Sequence, residues 1–159
     1  MPDPQRRYYW DACVWLNYIN SVSSHIAILD GLLAESSSGT IRLYTSAISR
    51  IEVAFAESER IKGTLDATVE AGIDSLWEDR FAVEVVEFYS DLWREARGLI
   101  RDSITNNWSL KPLDAMHLAS AKKLGVDEFH TYDDRLLKLS GLVGLPILEP
   151  HTANPRLTP

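Results

Sequence analysis

A single cysteine, Cys13, stands in a chain of 159 residues. No internal disulfide can form, so a reducing compartment is the expected setting. No apolar run approaches the ~20 residues needed to cross a bilayer, and the opening residues MPDPQRR lack the apolar core of a signal peptide. Together these absences predict a cytoplasmic protein with no membrane partner. Positive charge is also scarce, with 16 Lys and Arg against 23 Asp and Glu and a net charge of −7. That balance argues against a broad, non-specific nucleic-acid surface, though it leaves room for a basic rim around a small acidic site. Internal repeats and a second domain are absent too. The expectation is one domain over residues 1–159, with a core at about 7–149 and loose termini at 1–6 and 150–159. What is plentiful is apolar material: 45% hydrophobic residues suffice for a full core, and 25% charged residues are ordinary for a soluble protein.

The chain is organised around Arg7–Ile19, RYYWDACVWLNYI. Tyr8, Tyr9 and Trp10 favour an extended strand, and Val14, Trp15, Tyr18 and Ile19 follow at helical spacing. Asp11 lies between them, and a charged side chain is rarely buried unless something pairs with it. Further along, the pattern predicts a helix capped by residues 21–24, a strand at 41–45, and a helix at 47–62 capped by Ser46 and stopped by Gly63. Ile48, Ile51 and Phe55 mark the expected buried face of that helix, and Glu52 falls inside the same arc. One or two short helices are expected at 64–80, a strand at 83–88, and a helix at 89–106 with Leu92, Trp93, Ala96, Leu99 and Ile100 on one side. A helix begins at Pro112 and ends at Gly125, with Leu113, Met116, Leu118, Ala121 and Leu124 as its apolar positions. A strand at 128–131, a helix from 134 to about 140 and a strand at 146–148 complete the order. Strands separated by helical crossovers imply an α/β fold with a mainly parallel sheet of four to five strands, covered on both faces.

Four acids share an unusual setting: Asp11 after the first strand, Glu52 on an inward helical face, Asp114 in the first turn of a helix, and Asp133 after the fourth strand. In a parallel sheet the first and fourth strands end on one edge, where ligands collect. Two carboxylates about 4 Å apart repel by ~4 kcal/mol at an effective dielectric near 20. A converged set therefore needs protons or a cation. An all-oxygen set suits Mg²⁺ or Mn²⁺ rather than Zn²⁺, and an ion of that kind can activate water against a phosphodiester.

Each acid alone has a plainer reading: a helix cap for Asp11 and Asp133, a solvated edge for Glu52, a dipole partner for Asp114. Asp134 reads as a solvated first-turn acid, although it could replace Asp133. His117, one turn after Asp114, could orient a substrate phosphate but reads as a packed or half-exposed histidine. Cys13 reads as a small buried residue, and Trp10, Trp15, Trp77, Trp93 and Trp108 as core or interface. His25, His130 and His151 show no metal-ligand spacing. Lys111, Lys122, Lys123, Arg135 and Lys138 lie near the late acids in sequence, and Lys111 and Arg135 are the substrate-rim candidates.

The segments WDACVWL, TSAISRIE, PLDAMHLASA and HTYDDRLL resemble, in order, the four signature segments of the PIN domain, over residues 7–149. The nearest subgroup is the VapC-type toxins of toxin–antitoxin modules. The resemblance implies a three-layer α/β/α fold and a Mg²⁺- or Mn²⁺-dependent endoribonuclease that cleaves RNA phosphodiester bonds. By motif position, Asp11, Glu52, Asp114 and Asp133 are its catalytic and metal-binding acids. Asp11 and Asp114 are the direct ligands; Glu52 and Asp133 complete the site or bind through water. Ser46 and Thr131 fall where the family often has a hydroxyl. Cys13 departs from the Asn or Ser of many relatives, which weakens a supporting hydrogen bond. A homodimer and a VapB-like antitoxin are the implied partners. The alternative is a catalytically inactive PIN-fold protein–protein interaction module. A phosphoacceptor domain would need a nucleophilic Asp with a matching late Lys, and no Lys of the sequence fits that role.

Overall fold

The structure is a computed structural model that describes residues 5–152. Strand β1 (Arg6–Trp10) leads into helix α1 (Ala12–Ile19) and then α2 (Ile26–Ser37). Strand β2 (Ile41–Ser46) is followed by α3 (Ser49–Glu52), α4 (Glu57–Lys62) and α5 (Ala67–Glu78). After β3 (Glu84–Val86) come α6 (Leu92–Thr105) and α7 (Pro112–Leu124). The chain then runs through β4 (Glu128–His130), α8 (Asp134–Leu137), α9 (Ser140–Val143) and β5 (Ile147–Leu148).

All strand pairs are parallel, in the order β3-β2-β1-β4-β5. The period-two alternation of the strands divides the core into two apolar layers. Tyr8 and Trp10 of β1 and Ile41 and Leu43 of β2 face Trp15, Leu29, Leu32, Ile73 and Trp77 from α1, α2 and α5. Tyr9, Tyr44, Phe129 and Ile147 face Ala96 and Leu99 of α6 and Ala115, Leu118 and Ala119 of α7. The small residues of α7 let that helix lie close to the sheet. Gly125 closes it in the left-handed conformation, φ +62°, which a side chain resists.

This is the expected three-layer α/β/α arrangement, and its topology locates a crevice. The chain builds outward from β1 through β2 to β3, then returns to place β4 on the other side of β1. The order reverses between β1 and β4, and that switch point is where an open α/β sheet leaves a cleft beyond its carboxyl ends.

Several local expectations need correction. The helix expected over 47–62 is two short helices, α3 and α4, parted at Val53–Ala56. Buried Glu59 accepts the backbone N–H of Ala56 at 2.9 Å and of Asp66 at 2.8 Å, so the chain folds around that carboxylate instead of running straight. With the helix broken, Ile51 is 79% exposed and Phe55 is also exposed, whereas Ile48 is buried. Residues 67–78 form one regular helix with Ile73 and Trp77 inward. Trp93 and Leu113 are exposed instead of buried: Trp93 sits at the solvent edge of its helix's apolar stripe, and Leu113 lies in the first turn of α7. The expected loose ends at 1–4 and 153–159 lie outside the described residues. Within them, Arg6 belongs to β1, Pro150 is buried and His151 is tied to Glu128, so these positions are not loose. Among the described residues, no helix is long and apolar enough to cross a membrane.

Candidate functional site

Asp11 is the residue at which β1 becomes α1. Its backbone is still extended, and its Oδ1 accepts the Val14 N–H at 3.1 Å, capping the helix. The cap is real, but it uses one carboxylate oxygen and leaves the other. Only 4% of Asp11 is exposed. Burial pushes its carboxyl up to about 6, against the opposing pull of the Thr131 hydroxyl, His117 and the Val14 N–H, while Asp114 pushes the same way as burial.

Asp114 sits in the first turn of α7, which Pro112 starts. Burial raises its pKa, Arg135 opposes, and Asp133 and Glu52 add to the rise. Its Oδ2 is buried and has no hydrogen-bond partner among the described residues. Asp133 follows β4 and caps α8 through the Arg135 N–H at 2.9 Å. Its carboxyl lies below the usual range: partial burial works upward, but hydrogen bonds from Arg135 prevail. Thr131 is fully buried and accepts the Asp133 N–H at 3.0 Å, so one hydroxyl serves both Asp11 and Asp133. Asp134 is exposed and takes no part in these contacts.

Glu52 reaches the same crevice from the last residue of α3. Its Oε2 lies 2.5 Å from His117 Nε2, and His117 Nδ1 lies 2.8 Å from the Tyr9 hydroxyl. The four acids therefore feel one another across the β1–β4 switch point. Asp11 and Asp114 are on one edge of the sheet, as a shared site requires. Ser46 is buried behind them, its hydroxyl accepting the Ile48 N–H at 3.3 Å.

The sequence reading placed the acids but missed Tyr9 and understated His117. Only the three-residue step from Asp114 to His117 hinted that the two side chains share a helical face. Cys13 is half-buried, not buried, and its thiol is pushed up to about 12, first by burial and then by Asp11. It stays a thiol and offers no thiolate ligand.

The basic candidates divide. Lys111, at the N-cap of α7, acts on Asp133 electrostatically, and Arg135 touches Asp133 directly. Lys122 and Lys123 lie at the far end of α7 and pair with Glu95 at 2.7 Å and Asp91 at 3.7 Å on the α6 side. They do not border the crevice.

The donor set suits a hard divalent ion: carboxylate oxygens converge, one of them buried and without a hydrogen bond among the described residues, on a carboxyl pair that burial otherwise drives toward protonation. A second cluster, Glu128, His130 and His151, has ligand atoms within 4.8 Å of one another. Its hydrogens are already committed. The Trp10 indole can only donate, and it lies 3.2 Å from His130 Nδ1. The His130 proton is then on Nε2, 2.9 Å from Glu128 Oε2. A metal on Nε2 would force an N–H against an N–H at Trp10. The cluster instead clamps the chain at His151 onto β4 through Glu128 Oε2, at 2.6 Å.

A parallel three-layer sheet with an acidic, cation-ready crevice at its switch point is thus the class this fold and site define. Residues 8–142 match the PIN domain family model, and the chain belongs to the PIN domain family. No curated protein sequence matches it. Among solved structures it is similar to VapBC2 from Rickettsia felis, bound to a DNA fragment from their promoter, with TM-score 0.64, 12% identity, and coverage of 89% of this chain and 96% of that one. It is also similar to VapC20 of Mycobacterium tuberculosis, described as a sarcin-ricin loop cleaving toxin, with TM-score 0.61, 17% identity, and coverage of 82% and 94%. FitAcB from Neisseria gonorrhoeae has TM-score 0.61 and 15% identity, with coverage of 90% and 97%. At such identities the likeness is one of fold.

Proposed function

We propose that this protein is a divalent-metal-dependent endoribonuclease and the toxin of a VapBC-type pair. The observation that carries the proposal is buried Asp11 and half-buried Asp114 at one crevice, with Asp114 Oδ2 lacking any hydrogen-bond partner among the described residues. Asp11 and Asp114 would hold Mg²⁺ or Mn²⁺, with Glu52 and Asp133 completing the set directly or through water. The chemistry such an ion supplies when bound is acidification of water and neutralisation of charge at a phosphodiester. The chain's own part is orientation. Thr131 fixes the Asp133 backbone, α1 and α8 are capped by Asp11 and Asp133, and Lys111 and Arg135 offer phosphate contacts at the rim. Neighbours such as the VapBC2 complex support an antitoxin partner, and a homodimer is part of this proposal by likeness to the PIN family. A VapB-like segment with a basic side chain fits a crevice lined by carboxylates.

The test is RNA cleavage in Mn²⁺ and in EDTA, beside an Asp11→Asn variant. Cutting that needs the ion and vanishes in the variant supports the enzyme. No cutting of structured or unstructured RNA under either condition leaves the interaction-module alternative.

A further inference from the structure

Glu52 is the least anchored of the four acids. It ends a four-residue helix, immediately before the chain leaves helical geometry at Val53. Its side chain is 21% exposed, and its one hydrogen-bond partner among the described side chains is His117, itself 2% exposed. A carboxylate on so short an element does not hold its own rotamer against water. His117 does not belong to that element. It lies on α7, the long buried helix that also carries Asp114.

We propose that His117 is the positioning residue that aims Glu52 at the metal, with Tyr9 holding the other ring nitrogen. This rests on the nuclease reading above. The hydrogen-bond roles follow from the partners. An ionised carboxylate only accepts, so His117 Nε2 carries the proton and donates to Glu52 Oε2. In a neutral imidazole Nδ1 is then the lone-pair nitrogen, placed to accept the Tyr9 O–H. Tyr9 is fully buried, and burial holds its phenol well above the ordinary value, so it keeps its proton and remains a donor. The chain Tyr9–His117–Glu52 thus runs in one direction, from a strand of the central sheet through α7 to the crevice. It engages one Glu52 oxygen and leaves Oε1 for the ion or its water.

The arrangement also explains the three-residue step from Asp114 to His117. One rigid helix presents a ligand and, one turn later, the group that sets a second ligand from another element. The separation between Asp114 and Glu52 is then fixed by α7 and not by the short helix carrying Glu52. Partners of this kind, one shell behind the ligands, change metal affinity about 10–100-fold when removed.

The experiment needs no RNA. Mn²⁺ binding is measured by calorimetry for the wild type, His117→Leu, His117→Gln, Glu52→Gln and the double variant His117→Leu/Glu52→Gln. Circular dichroism and thermal melts establish that each is folded. Expected are a loss of roughly tenfold or more for His117→Leu, partial recovery in His117→Gln, which keeps a donor, and no further loss when His117→Leu is added to Glu52→Gln. Nitrogen NMR of the metal-free wild type should show the Nε2–H tautomer at His117, and Tyr9→Phe should disturb it. A His117→Leu protein that binds Mn²⁺ like the wild type, an equal loss on the Glu52→Gln background, or the Nδ1–H tautomer overturns this inference and leaves the nuclease reading standing. A wild type that binds no Mn²⁺ overturns both.

Discussion

The Arg135 guanidinium bridges two of the acids, with Nη2 2.5 Å from Asp133 Oδ2 and 3.6 Å from Asp114 Oδ2. It is the chain's own counter-cation for the crevice, and it occupies the charge that a divalent ion would neutralise. The pair is partly solvated, with 43% of the Arg135 side chain exposed, so the interaction is worth at most about 1 kcal/mol. Arg135→Gln should therefore tighten Mn²⁺ binding by up to about fivefold while weakening RNA binding. Calorimetry on the metal and filter binding on the RNA separate the two effects. Weaker Mn²⁺ binding in the variant would contradict the view of Arg135 as a competitor.

Asp11 gives a prediction for the metal-free protein. Its folded pKa, about 6, is above the ordinary 3.8. For an acid shifted upward, the stabilising contribution is complete below 3.8 and is lost as pH rises through 6. At neutral pH the buried charge thus costs the metal-free fold about 3 kcal/mol. Asp11→Asn keeps the cap oxygen and removes the charge, so it should raise the metal-free Tm by roughly 6–12 °C above pH 7. That gain should disappear below about pH 4. Mn²⁺ should raise the wild-type Tm and leave the variant unmoved, since only a state that binds the ion is stabilised by it. Melts across pH, with Mn²⁺ and with EDTA, read all three.

The rim lysines are distinguished by their places on α7. Lys111, at its start, acts on Asp133, whereas Lys122, at its end, is engaged by Glu95 at 2.7 Å. Lys111→Ala should weaken RNA binding uniformly across sequences and reduce the salt slope by about 1. Lys122→Ala should change neither. Equal losses in both variants would mean that RNA lies along α7 instead of across its N-terminus.

Much of this was readable in the residues. The Tyr8–Trp10 run ending in Asp11, the Pro112 start and the Gly125 stop are local signals, and each element formed where its signal lay. The acids were visible because strand ends in a parallel sheet share an edge, a rule that needs no side-chain detail. What stayed hidden was non-local. The break after Glu52 depends on Glu59 gathering two backbone N–H groups, one of them from Asp66, and without it Ile51 and Phe55 read as core. The bond between His117 and Glu52 spans 65 residues, and no periodicity encodes it. Trp10 was legible as core, but not as the donor that decides the His130 tautomer.

That tautomer leads to an acid-stability prediction remote from the crevice. Glu128 accepts hydrogen bonds from His130 and His151, with Arg6 3.9 Å away. The His130 hydrogen bond is the chief cause that pulls its carboxyl down to about 2 from 4.5, while burial opposes it. Burial holds His130 below the ordinary histidine value, so it acts as an uncharged donor. For an acid shifted downward, the stability is present above 4.5 and is lost as pH falls through about 2. The shift corresponds to at most about 3 kcal/mol. Glu128→Gln should lower stability at pH 7 by about 1–3 kcal/mol, and its deficit against the wild type should shrink steadily between pH 4.5 and 2. Urea unfolding at several pH values measures the difference, in which the opposite trend from Asp11 cancels. Zn²⁺ should stabilise neither protein through this cluster, because Trp10 holds the His130 lone pair on the wrong nitrogen. Trp10→Phe releases it, and Zn²⁺-dependent stabilisation seen in that variant alone would establish that the indole N–H, not the spacing of the three ligands, keeps metal out.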